Sequence, residues 1–391
     1  MTDRKNLLPR LCLVFGAVLT LFLCWRWQRI FYLMCADYIR SDMPDHIRLA
    51  LGHNDYGLAS VFVRALWAAF GEARGQTALS LLLAANQLFG LFTVWLLLRR
   101  MFPALDGRFA YLAALLAHLC GPWILPGQTG MYLGVFNGNL YHNMTLLFSR
   151  SFVPLDLLLF FRLWDARREK LSARAWIAFL LCLLVTTLFK PSFLGAFAPA
   201  VFCLLVADFI KTRARGVKNE FLIGLAFIPS LAALLWASSV LYAEDFAGTS
   251  SGAALRSLTL PLIFSLAVMY LRGALLPLWS FSLQGPKEKA QREHLGIFAF
   301  VLAAAILEAV LLTETGYRAN DGNFLWGSYT LYPALFAQAI ALLWRMLPGL
   351  REKGAPRLRA IVGLILLLGH LVTGVYCLHM PGSAGYDWFY F

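Results

Sequence analysis

The strongest constraint on this chain is the recurrence, from one end to the other, of apolar runs long enough to cross a bilayer. A helix needs about 20 mostly apolar residues to span the ~30 Å hydrocarbon core. Runs of about that length lie near 9–27, 77–98, 109–125, 144–161, 174–189, 193–210, 221–242, 260–283, 295–313, 329–346 and 359–379. The expectation is an all-α, polytopic transmembrane helical bundle of about eleven spans. It forms a single integral membrane domain over 1–391. Composition agrees: 60% of residues are hydrophobic, and the mean hydropathy of +0.67 lies outside the range of soluble domains.

A net charge of +13 would suggest nucleic acid if the basic residues formed one patch. They are instead spread in small clusters between apolar runs, which argues against nucleic acid and for topology signals. The seven cysteines (12, 24, 35, 120, 182, 203, 377) stand singly and form no CxxC pair. They read as free thiols and not as a disulfide framework or zinc site. The opening MTDRKNLLPR precedes an apolar run that ends in CWRWQR without a small-residue cleavage site, the pattern of a retained signal anchor.

Alternate connections are strongly basic: RR at 99–100, RLWDARREK at 162–170, KTRARGVK at 211–218, PKEKAQR at 286–292 and REKGAPRLR at 351–359. The positive-inside rule assigns these, and the N-terminus, to the cytoplasm. The other set faces outward: 28–76, 126–143, 243–258, 314–328 and a short tail, 381–391. The first outward loop is the longest. Its segment LASVFVRALWAAFGEAR (58–74) aligns Val61, Phe62, Ala65, Leu66, Ala69 and Phe70 on one helical stripe, the pattern of a helix lying in the membrane interface.

The same loop carries RSDMPDHIR at 40–48, a dense charged stretch in a chain with only 14% charged residues. Asp42 and Asp45 are three apart and share a face if helical. One carboxylate there can take a proton from a hydroxyl, while the second acid or His46 tunes it or helps hold a divalent cation. Asp42 and Asp45 are accordingly the metal candidates. The remaining outward loops add Asn137, Asn139, His142, Asn143 and Arg150, then Lys190 in FKPSF, then Glu314, Arg318, Asp321 and Asn323. Arg150, Lys190 and Arg318 are suited to gather round a lipid phosphate, with arginine offering a bidentate fork. Tyr132, Tyr141 and Trp326 are suited to stack on sugar rings and equally suited to anchor in the interfacial aromatic belt.

Each residue also has a plainer reading. Lys190 and Arg272 can snorkel to the headgroups, and Asn143 can cap a helix start. Asp156 can satisfy backbone groups released by Pro154, and the acids at 42 and 45 can be an interfacial solvation patch. The NMT at 143–145 matches a glycosylation sequon but lies too close to the membrane to be used as one. Asp156, Arg272 and Glu308 are intramembrane charges, expected to face the bundle interior with partners. His370 and His379 have no assigned role.

In layout the chain resembles polytopic glycosyltransferases of the GT-C fold. A cytoplasmic N-terminus leads through one span to a long outward loop with acidic residues (SDMPDHI, 41–47) and interfacial helices near 44–52 and 58–74, followed by spans with short loops. It is also similar to bacterial membrane proteins with YHNMT (141–145), KPS (190–192) and ETGYRANDGNFLWG (314–327) segments. The resemblance implies a catalytic base on the first outward loop, a polyprenyl-phosphate sugar as donor and inversion at the anomeric carbon. Carried to this chain, the base is Asp42, with Asp45 as the substitute. Two features depart from the family: the chain ends in the short tail PGSAGYDWFYF, and the acids are spaced Asp-x-x-Asp.

The resulting expectation is a transferase of a bacterial inner membrane, acting on the outer side with a glycan, lipid or protein as acceptor. Asp42, Asp45 and His46 are its catalytic candidates. Arg150, Lys190, Arg318, His142, Asn143, Glu314, Asp321 and Asn323 are its substrate-binding candidates. Mg or Mn is the candidate metal. An O-antigen-type polymerase or ligase is the rival within the compartment, although such proteins are organised round a later outward loop. A transporter or flippase of lipid-linked sugars, and a catalytically silent relative, are the rivals from other classes.

Overall fold

The computed structural model describes residues 4–39, 41–52, 57–123, 141, 143–241, 252–281, 288–315 and 323–379. Apolar runs become helices throughout. They are α1 (Arg4–Cys35), α2 (Met43–Leu51), α3 (Leu58–Met101), α4 (Gly107–Leu119), α5 (Met144–Asp165), α6 (Ala173–Phe189), α7 (Ser192–Thr212), α8 (Val217–Leu225), α9 (Ile228–Leu241), α10 (Leu260–Phe281), α11 (Lys289–Leu311), α12 (Trp326–Thr330), α13 (Tyr332–Met346) and α14 (Ala355–His379). Among the described residues, nine helical segments are long and apolar enough to cross a membrane. The chain is a multi-pass, helical membrane protein. At the expected spans 109–125 and 174–189 stand two shorter apolar helices, α4 and α6.

Local chemistry explains where helices stop. Asn143, Asp106 and Ser172 each cap the helix that follows, accepting from Leu146 N, Arg108 N and Ala175 N. Lys190 is extended because it precedes Pro191, a position where helical backbone is disfavoured, and this ends α6. The expected span 221–242 is broken between α8 and α9, where Pro229 opens the second piece. Pro333 likewise separates α12 from α13. The expected interfacial helix at 58–74 is the first part of α3. That helix turns at Gly71, whose φ of 72° and ψ of −177° suit glycine alone, before entering the bundle.

Helix α5 is the core of the bundle. Of its most apolar stretch 83% is buried, against 17% for α1. It packs on α3 and α6, and small or polar residues let it approach α3 closely. Asn86 donates to Leu147 O (2.8 Å) and Ser151 Oγ (3.0 Å), while Thr93 donates to Ser151 O (2.9 Å). A methyl group at Gly90 would lie 2.8 Å from Ser151 Oγ.

The two ends of α5, ~33 Å apart by helical rise, differ in chemistry. At its C-terminal end the basic connections meet acids from other helices. Arg100 and His294 pair with Asp165, Arg167 and Arg168 with Asp208, Arg167 with Glu293, and Arg168 with Glu220. At its N-terminal end lie Asp42, Asn143 and the aromatic residues described below. Connections expected as plain loops also hold a two-stranded antiparallel pair, β1 (Gly252–Leu255) and β2 (Leu312–Thr315), with Glu314 opposite Ala253.

Candidate functional site

Helix α2 follows from MPDHIRLAL: Pro44 suits the first turn, and Met43, Ile47 and Ala50 form its buried side. Arg64 ties it to α3 through a 3.3 Å bond to Ala50 O. Asp42 stands at the N-cap position yet makes no side-chain capping bond. Its carboxylate turns instead toward α5. Asn143 Nδ2 donates to Asp42 Oδ2 at 3.2 Å and lies 3.3 Å from His46 Nε2.

The orientation of the Asn143 amide is determined by its capping role. Oδ1 accepts from Leu146 N (3.0 Å) and Thr145 Oγ1 (2.8 Å), which leaves the NH₂ group to face Asp42 and His46. The His46 nitrogen facing that amide is therefore an acceptor, which puts the proton of a neutral ring on Nδ1. Asp45 points elsewhere. It is 60% exposed and pairs with Arg48 on the next turn, so Asp42 and Asp45 do not converge on a common point.

Seven residues beyond Asn143, two turns along α5, Arg150 is buried. Its guanidinium donates to Gln87 Oε1 (2.7 Å) and the Tyr329 hydroxyl (3.3 Å), and lies 5.9 and 5.7 Å from the ring centres of Tyr141 and Tyr329. Tyr141 is itself held by Trp27 Nε1 at 3.1 Å. Lys190 is buried at the α6–α7 turn, where its ammonium lies 5.5 Å from the Trp326 ring centre. The neighbouring Phe189 stacks on Phe148 of α5 (4.7 Å, 10°), and Phe62 of the interfacial helix touches both rings. Trp326 meets Tyr329 edge-on at 5.7 Å. Asp42 thus meets Asn143 at the start of α5, and two turns further along that helix a second series of contacts runs from Arg150 through Tyr329 and Trp326 to Lys190, joining α5, α12 and the α6–α7 turn.

Glu314 is buried on β2. Asn323 opens a short 3₁₀ turn before α12, and its side chain lies outside the described residues. His142, Arg318 and Asp321 also lie outside the described residues, as do Tyr132, Asn137 and Asn139. Of the intramembrane charges, Asp156 accepts from Thr186 Oγ1 at 2.6 Å. Arg272 donates to Trp123 O at 3.1 Å. Glu308 fits against two glycines, Gly195 of α7 and Gly327 of α12, where any larger residue would meet its carboxylate. His370 has a structural role, with Nδ1 2.6 Å from Gly121 O and Nε2 accepting from Leu276 N at 3.3 Å.

Gln87 and Tyr329, the partners of Arg150, carry no clear signal in the sequence. Gln87 is a lone amide inside an apolar run, a weak signal that such a span holds a buried polar contact. Asp42 and His46 offer two potential metal donors. Among the described residues no group of three or more His, Cys, Asp or Glu is placed to hold an ion. Among the described residues the donor set thus falls short of a metal cage. Compared with known proteins, the chain matches no family model and no curated relative.

Proposed function

We propose that the chain is a glycosyltransferase of a bacterial inner membrane, with its N-terminus in the cytoplasm and its site facing outward. It moves a sugar from a polyprenyl-phosphate donor to a glycan, lipid or protein acceptor. Asp42 accepts the proton of the acceptor hydroxyl as that oxygen bonds to the anomeric carbon. The bond from that carbon to the phosphate oxygen breaks, and the phosphate leaves with the electron pair, with inversion at carbon. Arg150 and Lys190 balance its charge, joined in this reading by Arg318. Asn143 and His46 orient the Asp42 carboxylate.

One observation carries the reading. A carboxylate from the first loop is oriented by a capping asparagine on the same helix that presents a buried arginine two turns deeper. The test is transfer by purified protein from a radiolabelled undecaprenyl-phosphate sugar to a mixed envelope acceptor fraction. Product should form with the parent protein and fall sharply with Asp42→Asn. Equal product from both proteins would remove Asp42 from the chemistry.

The fit of Glu308 between two glycines favours one second reading, a carrier of lipid-linked sugars that loads a proton or cation at this carboxylate. Counterflow of an unaltered labelled substrate in proteoliposomes, abolished by Glu308→Gln and not by Asp42→Asn, would select it.

A further inference from the structure

Away from the site, toward the basic end of the bundle, helices α4, α13 and α14 line a partly open apolar cleft of about 140 Å³. Its walls include Leu105, Phe109, Leu116, Ala341, Trp344 and Leu367, and it runs inward from the loop before α4 along about three turns of that helix. An apolar cavity of about 150 Å³ stays dry and accepts a benzene-sized hydrocarbon, so water is not its natural occupant.

The charge at its outer end is strongly one-sided. Arg108 precedes the lining residue Phe109, Arg345 follows Trp344, and Arg351, Arg357 and Arg359 lie on the turn and the first residues of α14. All five are exposed, and Arg351, Arg357 and Arg359 make no ion pair among the described residues. The segments that carry these arginines, 105–119 and 332–379, hold two acids, Asp106 and Glu352. Asp106 is engaged in capping α4. Exposed arginines alone would be only a topology signal. Beside a hydrocarbon-lined cavity that begins at the same level, they complete the two halves of an amphiphile site.

We infer that this cleft binds an anionic phospholipid of the surrounding bilayer, its acyl chain lying between α4, α13 and α14 and its phosphate against Arg351, Arg357 and Arg359. The site is separate from the one built around Asp42 and does not depend on the transferase reading. Its effect is to fasten α14 to α4 and α13.

The test uses the full chain in neutral detergent. Lipid binding is followed by native mass spectrometry with dioleoyl-phosphatidylglycerol, dioleoyl-phosphatidylcholine or inorganic phosphate. Juxtamembrane arginines each add substantially to anionic-lipid affinity, so phosphatidylglycerol should bind more than roughly tenfold tighter than phosphatidylcholine. Replacing Arg351, Arg357 and Arg359 by alanine should erase that preference, and Ala341→Phe should weaken both lipids. Equal binding of the two lipids by the parent protein would overturn the proposal. So would phosphate binding as tight as phosphatidylglycerol, or unchanged lipid binding in Ala341→Phe. Should Ala341→Phe not fold, a phosphatidylglycerol with a diazirine on its acyl chain decides on the parent protein. Adducts at Phe109, Trp344 or Leu367 support the site, and adducts confined to other helices refute it.

Discussion

The side-chain amide of Asn143 donates to the carboxylate of Asp42 at 3.2 Å while its oxygen caps helix α5. One residue therefore starts the core helix and orients a carboxylate 101 positions earlier in the chain. The two duties separate by substitution. Asn143→Ala removes the cap and should cost about 1 kcal/mol of stability. Asn143→Asp keeps a good capping oxygen but sets a second carboxylate against Asp42. It should unfold at a higher temperature than the alanine variant while losing transfer activity at least as severely. Parental turnover in Asn143→Asp would exclude the amide from the site.

The two acids of the first loop should behave differently. Asp42→Asn is expected to lose at least roughly a hundredfold in turnover, the lower range for removal of a general base. Asp45 is exposed and paired with Arg48, so Asp45→Asn should leave turnover and stability within assay error. A rate profile with the order reversed would move the base to Asp45.

Arg150 is buried against Gln87 and Tyr329. Arg150→Leu strips a charged donor from both and should destabilise by about 1–3 kcal/mol, the cost of an unsatisfied buried partner. In the additional Gln87→Leu background that penalty should shrink, because no orphaned acceptor remains at Gln87. Thermal unfolding of the parent, the two single variants and the double variant measures the coupling.

Glu308 and Gly195 should also be coupled. A methyl group at residue 195 would collide with the Glu308 carboxylate, so Gly195→Ala should destabilise. Adding Glu308→Ala should restore most of the loss, giving an interaction term of about 0.5–3 kcal/mol. Strict additivity in the double-mutant cycle would show that the glycine serves the backbone and not the carboxylate.

Gly71 holds a backbone conformation that other residues pay about 1–3 kcal/mol to adopt. Gly71→Ala should therefore lower the unfolding temperature even though open space surrounds the position. Unchanged stability would mean that α3 straightens without loss.

Much of this architecture is legible because bilayer-length apolar runs and capping residues are local signals. Asn143 reads as a helix start and caps α5, and 58–74 reads as a helix, which forms but turns at Gly71. The breaks before Pro229 and Pro333 are equally local, yet continuous hydrophobicity masks them when a span is judged by length. Pairing over long sequence distances is not legible in this way. Nothing in GAAL or LTET announces that 252–255 will meet 312–315, since register depends on where α10 and α11 place the strands. The partners of Arg150 are hidden for the same reason: a glutamine in an apolar helix has no signature until α3, α5 and α12 are brought together. At the basic end, Asp208 and Glu220 look like stray acids among lysines and arginines, although both accept from Arg168.

That ion-pair network has a consequence for biogenesis. Arg167 and Arg168 follow α5, but their acids arrive later, with Asp208 on α7, Glu220 on α8 and Glu293 on α11. During synthesis the two guanidinium groups are uncompensated, the condition in which basic residues govern how a nascent segment enters the bilayer. Once α11 has emerged from the ribosome they are largely neutralised, and groups that began as an address label finish as a clasp holding four helices at one face.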